Sequence, residues 1–116
     1  MTKQEIFDTV ARHLLKQGRK SVTRLDDGEA VCRYRGEGGD KCAVGILIDD
    51  ELAAKGDRFN QNVTGLYLGL PPDLQREDRL LAHLQRVHDQ NDPAHWRAQL
   101  RGIAVTCNLN TAAVDE

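Results

Sequence analysis

The sequence predicts a mainly helical α+β fold, a small helical bundle with one short β-hairpin after the first helix. Apolar residues recur at helical spacing in both halves of the chain, and a segment with β-compatible residues and a tight-turn dipeptide lies between them. The chain has 116 residues, close to the commonest domain size, so we expect a single compact domain over residues 1–116. Only the tail, over about residues 110–116, is expected to fray.

The first helix is predicted from its two ends and from one apolar face. Thr2 followed by Glu5 is a capping-box pattern, in which the threonine side chain accepts a hydrogen bond from the third amide of the helix. Apolar residues recur at helical spacing over residues 6–15, and Gly18 suits the left-handed position that ends a helix. These signals predict a helix between Thr2 and Gly18.

A β-hairpin is predicted after the first helix. Asp27 and Gly28 form a tight-turn dipeptide, and β-compatible residues precede it from Val22 and follow it to Tyr34. The glycines within residues 36–39 then predict a flexible loop.

The next segment, residues 42–48, is a run of apolar or small residues preceded by Asp40. Such a run fits a buried helix or a buried strand, and its small residues and acidic cap favour a short helix. Residues 49–51 are all acidic and are expected to cap a following turn that Gly56 ends.

Further helices are predicted in the second half of the chain. Asn62 is expected to cap a short helix that ends before two consecutive prolines. Asp73 opens a longer segment with a helical apolar stripe over residues 80–87. Asp92 followed by proline is a cap and first-turn pair for the last helix, whose inner face would carry Trp96.

Composition narrows the function classes. Sixteen Lys and Arg against eighteen Asp and Glu leave a formal charge of -2, which disfavours a globally basic nucleic-acid binder and leaves a local basic patch open. No apolar run is long enough to cross a bilayer, and the first residues lack the apolar stretch of a secretory signal. We therefore expect a cytoplasmic protein with no membrane partner, in which the three cysteines are reduced thiols.

Cys42 is the candidate nucleophile. A cysteine at the start of a helix lies near unpaired backbone amides and the positive end of the dipole, which both favour the thiolate. His88 is the candidate base, with Asp89 or Asn91 as the group that orients it. The alternative is that Cys42 is a buried core residue, because free cysteine is among the most buried residue types.

Zinc binding is a second hypothesis for some of the same residues. Cys32, Cys42, His88 and Cys107 would supply four ligands for a tetrahedral site. Nine residues separate the first two cysteines, whereas structural zinc sites usually present close cysteine pairs. The spacing therefore disfavours zinc, and no cofactor is expected.

A small basic cluster with one aromatic side chain is formed by Arg33, Tyr34, Arg35 and Lys41. It could hold a phosphate or stack on a nucleic-acid base, or it could be a solvated face of the hairpin. Exposed loops with Arg and Tyr are good anchors for protein partners, so residues 33–41 are the predicted binding surface. Alanine at Arg33 and Arg35 is expected to weaken binding and to leave the fold intact.

Three segments carry a resemblance to other proteins: Cys32-Arg-Tyr-Arg-Gly, Lys41-Cys-Ala-Val-Gly-Ile-Leu-Ile, and Leu84-Gln-Arg-Val-His-Asp. Over roughly residues 3–109, the chain resembles a group of small proteins encoded in bacteriophages, prophages and their hosts. These proteins often carry a proline just after the Leu-Ile block, where this chain has Asp49. The resemblance implies a mobile-element setting rather than a reaction. It also implies that four residues form one connected core or site, namely Cys42, Gly45, His88 and Trp96.

The leading functional prediction is a cytoplasmic interaction protein of phage or mobile-element type, which modulates or inhibits a host or defence complex through the loop at residues 33–41. Small size, the resemblance and the lack of a recognised catalytic motif favour a protein partner over an enzymatic role. The alternatives are a thiol-dependent hydrolase or transferase that uses Cys42 and His88, and a small structural zinc-binding domain.

Overall fold

The computed structural model describes all 116 residues, and it confirms the mainly helical class with one hairpin. Strands β1 (Val22–Arg24) and β2 (Ala30–Cys32) form a two-stranded antiparallel sheet. Single turns of 3-10 helix lie at Glu37–Gly39, Tyr67–Gly69 and Pro93–His95. The α-helices are α1 (Lys3–Gln17), α2 (Asp50–Arg58), α3 (Val63–Leu66), α4 (Pro72–Gln75), α5 (Asp78–Gln90), α6 (Trp96–Thr106) and α7 (Ala112–Asp115).

The first helix, α1, has the ends that its sequence predicts. The hydroxyl of Thr2 accepts from the amide of Glu5 at 3.1 Å, and the Glu5 carboxylate accepts from the amide of Thr2 at 2.8 Å. Gly18 ends the helix in the left-handed conformation, with φ of 67°. The apolar face of α1 packs against α5, α6 and α7, so this helix lies at the centre of the fold.

The hairpin is confirmed, with Val22 opposite Cys32 in its register. It follows α1 directly and leads into the glycine loop. The amide of Arg24 on the outer edge of β1 donates to the Glu37 carboxylate at 2.8 Å, so that loop folds back against β1.

The predicted helix over residues 42–48 does not form, and the backbone there runs through consecutive turns. Its polar groups are bound by side chains from elsewhere. The amide of Val44 donates to the Gln85 side chain at 2.9 Å, and the carbonyl of Gly45 accepts from the Arg35 guanidinium at 2.6 Å. A helix would have used these groups in its own hydrogen bonds, so the distant side chains replace it.

Gly56 does not end the second helix as predicted. Helix α2 continues through it to Arg58, and Gly56 is buried. A Cβ atom at this position would lie 2.8 Å from the Tyr34 ring and 3.0 Å from the Leu66 side chain. The glycine therefore permits close packing inside a helix.

The segment from Asp73 is predicted as one long helix, but it forms two. Helix α4 is a single turn, and Arg76 and Glu77 separate it from α5. The predicted start of the short α3 helix is confirmed, since the Asn62 side chain accepts from the amide of Gly65 at 2.9 Å.

The tail at residues 110–116 is ordered against the core, contrary to the expected fraying. Helix α7 packs on α1, and Ala113 and Val114 are buried. The amide of Asn110 donates to the Gln4 side chain at 2.8 Å, which fixes the turn that leads into α7. Two buried apolar side chains dock the tail, together with ion pairs from Arg12 to Glu116 and from Arg101 to Asp115.

One hydrophobic core joins the helices to the residues after the hairpin. It contains 24 buried apolar residues in a single cluster, and Trp96 and Phe7 are the largest of those that are fully buried. Every buried side-chain nitrogen or oxygen has a hydrogen-bond partner. The buried side chains therefore present no unpaired nitrogen or oxygen to a ligand.

Candidate functional site

The predicted nucleophile, Cys42, lies inside the core. Its side chain is completely buried, and this burial raises the pKa of the thiol to about 12. Its Sγ accepts a hydrogen bond from the amide of Gly45 at 3.3 Å. Because residues 42–48 form turns, no helix dipole acts on the thiol. A reactive cysteine needs a lowered pKa and access to solvent, and Cys42 has neither. The geometry fits the alternative prediction, that Cys42 is a buried core residue.

The predicted base, His88, is also buried, and both of its ring nitrogens are already engaged. Nε2 lies 2.8 Å from the backbone nitrogen of Ser21, which can only donate, so Nε2 accepts and carries no proton. Nδ1 lies 2.7 Å from the Asp89 carboxylate and donates to it. The ring also stacks on Trp96 with a centroid distance of 5.6 Å. His88 therefore has no vacant lone pair with which to take a proton from Cys42.

The four predicted zinc ligands are not brought together. The ligand atoms of Cys32, His88 and Asp89 all lie within 4.8 Å of one another, and Cys42 is not a member of this cluster. Cys107 lies apart, in a groove that it lines with His83. Of the predicted set, Cys32 and His88 are the two that belong to this cluster.

The cluster that does form is a poor fit for a metal ion. A metal on the Nδ1 atom of His88 would move the ring proton to Nε2, where it would face the amide proton of Ser21. Burial and the negative charge of Asp89 raise the pKa of the Cys32 thiol, which disfavours the thiolate that a metal would bind. The hydrogen bonds of this cluster instead tie the start of the hairpin to the end of α5.

Arg35, one of the predicted binding residues, is used to hold the fold. Its guanidinium donates to the carbonyl of Gly45 at 2.6 Å and to the carbonyl of Ile48 at 3.0 Å. Its Nε also pairs with the Asp50 carboxylate at 2.9 Å. These bonds organise the turns over residues 42–48. They do not favour the expectation that alanine at Arg35 leaves the fold intact, because the substitution would remove all three.

Tyr34 and Lys41 are also tied into the structure. Tyr34 is buried, which raises the pKa of its hydroxyl, and this hydroxyl donates to the carbonyl of Gln61 at 2.6 Å. The carbonyl of Lys41 accepts from the ring of His13 at 2.8 Å and from the side chain of Gln17 at 3.0 Å. The Tyr34 hydroxyl docks one end of the glycine loop on the loop that follows α2, and the backbone of Lys41 docks the other end on α1. The predicted binding surface at residues 33–41 is therefore not one continuous exposed patch.

Arg33 has different surroundings, since it lines a cleft of about 320 Å³. The cleft lies between β2 and the residues after it, the end of α2 with the loop that follows, and α5. We call it the Arg33 cleft. Its polar lining residues are Arg33, Asp57, Asn60, Gln61, Asn62, Gln85 and Asp89, and Cys32 and Tyr34 complete the wall on the hairpin side.

The guanidinium of Arg33 is only partly used inside the protein. Its Nη1 donates to the Asn60 side chain at 2.8 Å and makes a long contact of 3.4 Å with the Asp57 carbonyl. The two carboxylate oxygens of Asp57 are occupied by the backbone amides of Tyr34 and Arg35, at 2.8 and 3.0 Å. Arg33 therefore forms no ion pair, and its Nε and Nη2 donors remain available.

Amide side chains add further donors to the cleft. The oxygen of Asn60 accepts from Arg33, and the oxygen of Asn62 accepts from the amide of Gly65, which leaves both NH2 groups without a protein partner. Gln61 also lines the cleft and is half-buried. The cleft therefore combines one positive charge and several neutral donors with the two carboxylates of Asp57 and Asp89.

Several cleft residues were missed by the sequence reasoning. The run Asn60-Gln61-Asn62, which joins two helices, is the one local signal, because three consecutive amide side chains in a loop suggest hydrogen bonding to a ligand. Asp57 and Gln85 gave no such signal. Each lies within a helical pattern, and each acquires its role from a partner more than twenty residues away.

Comparison with known proteins gives no information on the function of this chain. No family model, no curated protein and no solved structure matches the chain. None of the helices combines the length and the apolar character that a bilayer-spanning helix requires.

Proposed function

We propose that this protein is a small interaction protein, and that it binds a polypeptide partner through the Arg33 cleft. The observation that carries the proposal is the unpaired guanidinium of Arg33, held at the cleft beside the amide groups of Asn60 and Asn62. Arginine presents a planar fork of donors that matches a carboxylate, and it is a frequent anchor residue at protein interfaces.

The chemistry of the cleft favours a carboxylate over a nucleic-acid backbone. Asp57 and Asp89 line the same cleft and would repel a chain of phosphates. A single carboxylate needs only one guanidinium, and neutral amide donors suit the carbonyl groups that lie next to it in a peptide. We therefore propose a partner segment that carries an aspartate or glutamate side chain.

The resemblance to phage and prophage proteins extends this proposal to the setting. We propose that the protein acts in the cytoplasm as a modulator or inhibitor of a host or defence complex, and that the partner segment belongs to that complex. The buried thiol of Cys42 and the engaged ring of His88 do not favour the thiol enzyme. The separation of Cys107 from the other thiols does not favour the zinc domain.

The proposal is tested with the smallest probe that carries the recognised group, N-acetyl-aspartate N-methylamide. We expect its titration to shift the backbone NMR signals of Arg33 and of the loop at residues 60–62, with weak affinity. The asparagine analogue is the matched control for the charge, and Arg33→Ala is the matched control for the site. Equal shifts with the asparagine analogue, or shifts that persist in Arg33→Ala, would refute the proposal.

A further inference from the structure

We infer that the partner segment binds as an added β-strand, paired with the free edge of β2 and with its carboxylate on Arg33. The inference rests on the proposed function, since it states how the Arg33 cleft holds its polypeptide. Strand addition supplies affinity through main-chain hydrogen bonds, and pockets for alternate side chains supply specificity.

The register of the hairpin identifies which backbone groups point outward. The amide of Arg33 donates to the carbonyl of Ser21 at 2.9 Å, which makes these two residues a hydrogen-bonded pair. In an antiparallel ladder, bonded and non-bonded pairs alternate, so the amides and carbonyls of Ala30 and Cys32 point away from β1. They form the outer edge of β2.

The two edges of this sheet are treated differently. On β1, the outward amide of Arg24 is capped by the Glu37 carboxylate at 2.8 Å, and Gly36 packs against the strand backbone. No side chain or loop caps the outward groups of Ala30 and Cys32, and the sheet has no third strand. Proteins usually protect such an edge, so an uncapped one beside a polar cleft is a site for a further strand.

The uncapped edge and the unpaired charge belong to the same site. Val31, Cys32 and Arg33 all line the Arg33 cleft, so a strand added to β2 would enter the cleft alongside the guanidinium. Alternate side chains of a strand point to the same face, which places every second residue of the added segment on the side of Arg33. An acidic residue at one of those positions would pair with the Arg33 guanidinium, which has no carboxylate partner within the protein, whereas the Asp57 carboxylate already accepts from two backbone amides.

The experiment uses a library of blocked octapeptides with one central aspartate or glutamate and random flanking residues, selected on the immobilised protein. The strongest selected peptide is then titrated into the wild type, Arg33→Ala, Ala30→Pro and Ala30→Ser. Ala30→Pro removes an outward donor and leaves the ladder intact, because proline is tolerated on the edge of a sheet. Ala30→Ser keeps the amide and is the matched control.

We expect Ala30→Pro to weaken binding about tenfold, the equivalent of one main-chain hydrogen bond, and Ala30→Ser to bind as the wild type does. The bound peptide should slow hydrogen exchange at the amides of Ala30 and Cys32. An N-methyl scan of the peptide gives a second test that does not depend on the folding of any variant. Methylation should abolish binding at alternate residues only.

The outcomes separate this inference from the function on which it rests. If Arg33→Ala loses binding while Ala30→Pro keeps it, strand addition is wrong and the cleft proposal stands. If both variants bind as the wild type does, or if no peptide is selected, both ideas are wrong. If the amides of Ala30 and Cys32 are protected in self-associated protein without peptide, the occupant is a second copy and the inferred partner is wrong.

Discussion

Replacing Arg35 with alanine tests whether this basic residue stabilises the fold or is available to bind a partner. The Arg35 side chain reaches across to the turns over residues 42–48 and donates to the carbonyls of Gly45 and Ile48, at 2.6 and 3.0 Å. Alanine would leave both carbonyls without their donor. No other side chain lies within hydrogen-bond distance of them, and the turns would lose the contact that replaces a helical ladder.

The expected loss follows from these two bonds. A hydrogen bond from a charged donor contributes about 1.5 to 3 kcal/mol, and the Arg35 side chain is 23 % exposed, so water compensates part of it. We therefore take the lower end for each bond and expect Arg35→Ala to lower the free energy of unfolding by about 3 kcal/mol. The Asp50 carboxylate is 92 % exposed, so its ion pair with Arg35 should contribute less than about 1 kcal/mol.

The assay is equilibrium unfolding in urea, followed by circular dichroism. Asp50→Ala is the matched control for the ion pair, and Arg33→Ala is the control for loss of a neighbouring arginine that lines the cleft. Both controls should change the free energy of unfolding by less than about 1 kcal/mol. A value for Arg35→Ala within about half a kcal/mol of the wild type would refute the structural role of this residue.

Three further predictions concern buried groups. His88→Ala should lower the free energy of unfolding by about 3 kcal/mol, because the amide of Ser21 loses its acceptor and Trp96 loses its stacked ring. Urea unfolding measures this loss, and a value below about 1 kcal/mol would contradict the prediction. Burial lowers the pKa of His13 from its ordinary value of 6.5, so the unfolded chain binds this proton more readily. The free energy of unfolding should therefore fall as the pH drops through 6.5 and level off below the pKa of His13 in the folded protein. In His13→Gln this part of the pH profile, measured by thermal unfolding, should be absent. Parallel profiles for the wild type and the variant would contradict the prediction. Cys42 should react with iodoacetamide at neutral pH at least about a hundredfold more slowly than a thiol in an unfolded peptide, as peptide mapping would show, and rapid labelling of the folded protein would restore the enzyme hypothesis.

Signals contained within one turn of chain could be predicted from the sequence. The caps at Thr2 and Asn62 and the terminator at Gly18 are all confirmed, since each depends on residues that are at most a few positions apart. The hairpin around Asp27 and Gly28 is confirmed for the same reason. Local hydrogen bonding is enough to specify these features.

Features that depend on distant partners could not be predicted. The run over residues 42–48 has the composition of a helix, but Gln85 and Arg35 bind its backbone groups instead. Composition also gives no measure of whether a tail is docked, and here the buried side chain of Val114 holds α7 in place. In both cases the stabilising contact joins residues that are far apart in the sequence, and no local pattern indicates that they meet.

The basic cluster illustrates the same limit within a functional prediction. Arg33 and Arg35 are two positions apart and chemically identical, and the sequence treats them alike. Arg35 stabilises the fold, because its guanidinium binds the carbonyls of Gly45 and Ile48. Arg33 belongs to the candidate site, because it lines the cleft. Of the two arginines predicted to bind a partner, Arg33 lines the cleft and the guanidinium of Arg35 is engaged by the fold.

The measurement that tests the central claim most directly is a double-mutant cycle between Arg33 and the acidic residue of the selected octapeptide. Affinities are measured by calorimetry for the wild type and Arg33→Ala, each with the acidic peptide and with its amide analogue. A guanidinium that recognises the carboxylate predicts a coupling free energy of about 1 kcal/mol or more. A coupling near zero, with the peptide still bound, would contradict the assignment of Arg33 as the recognition residue.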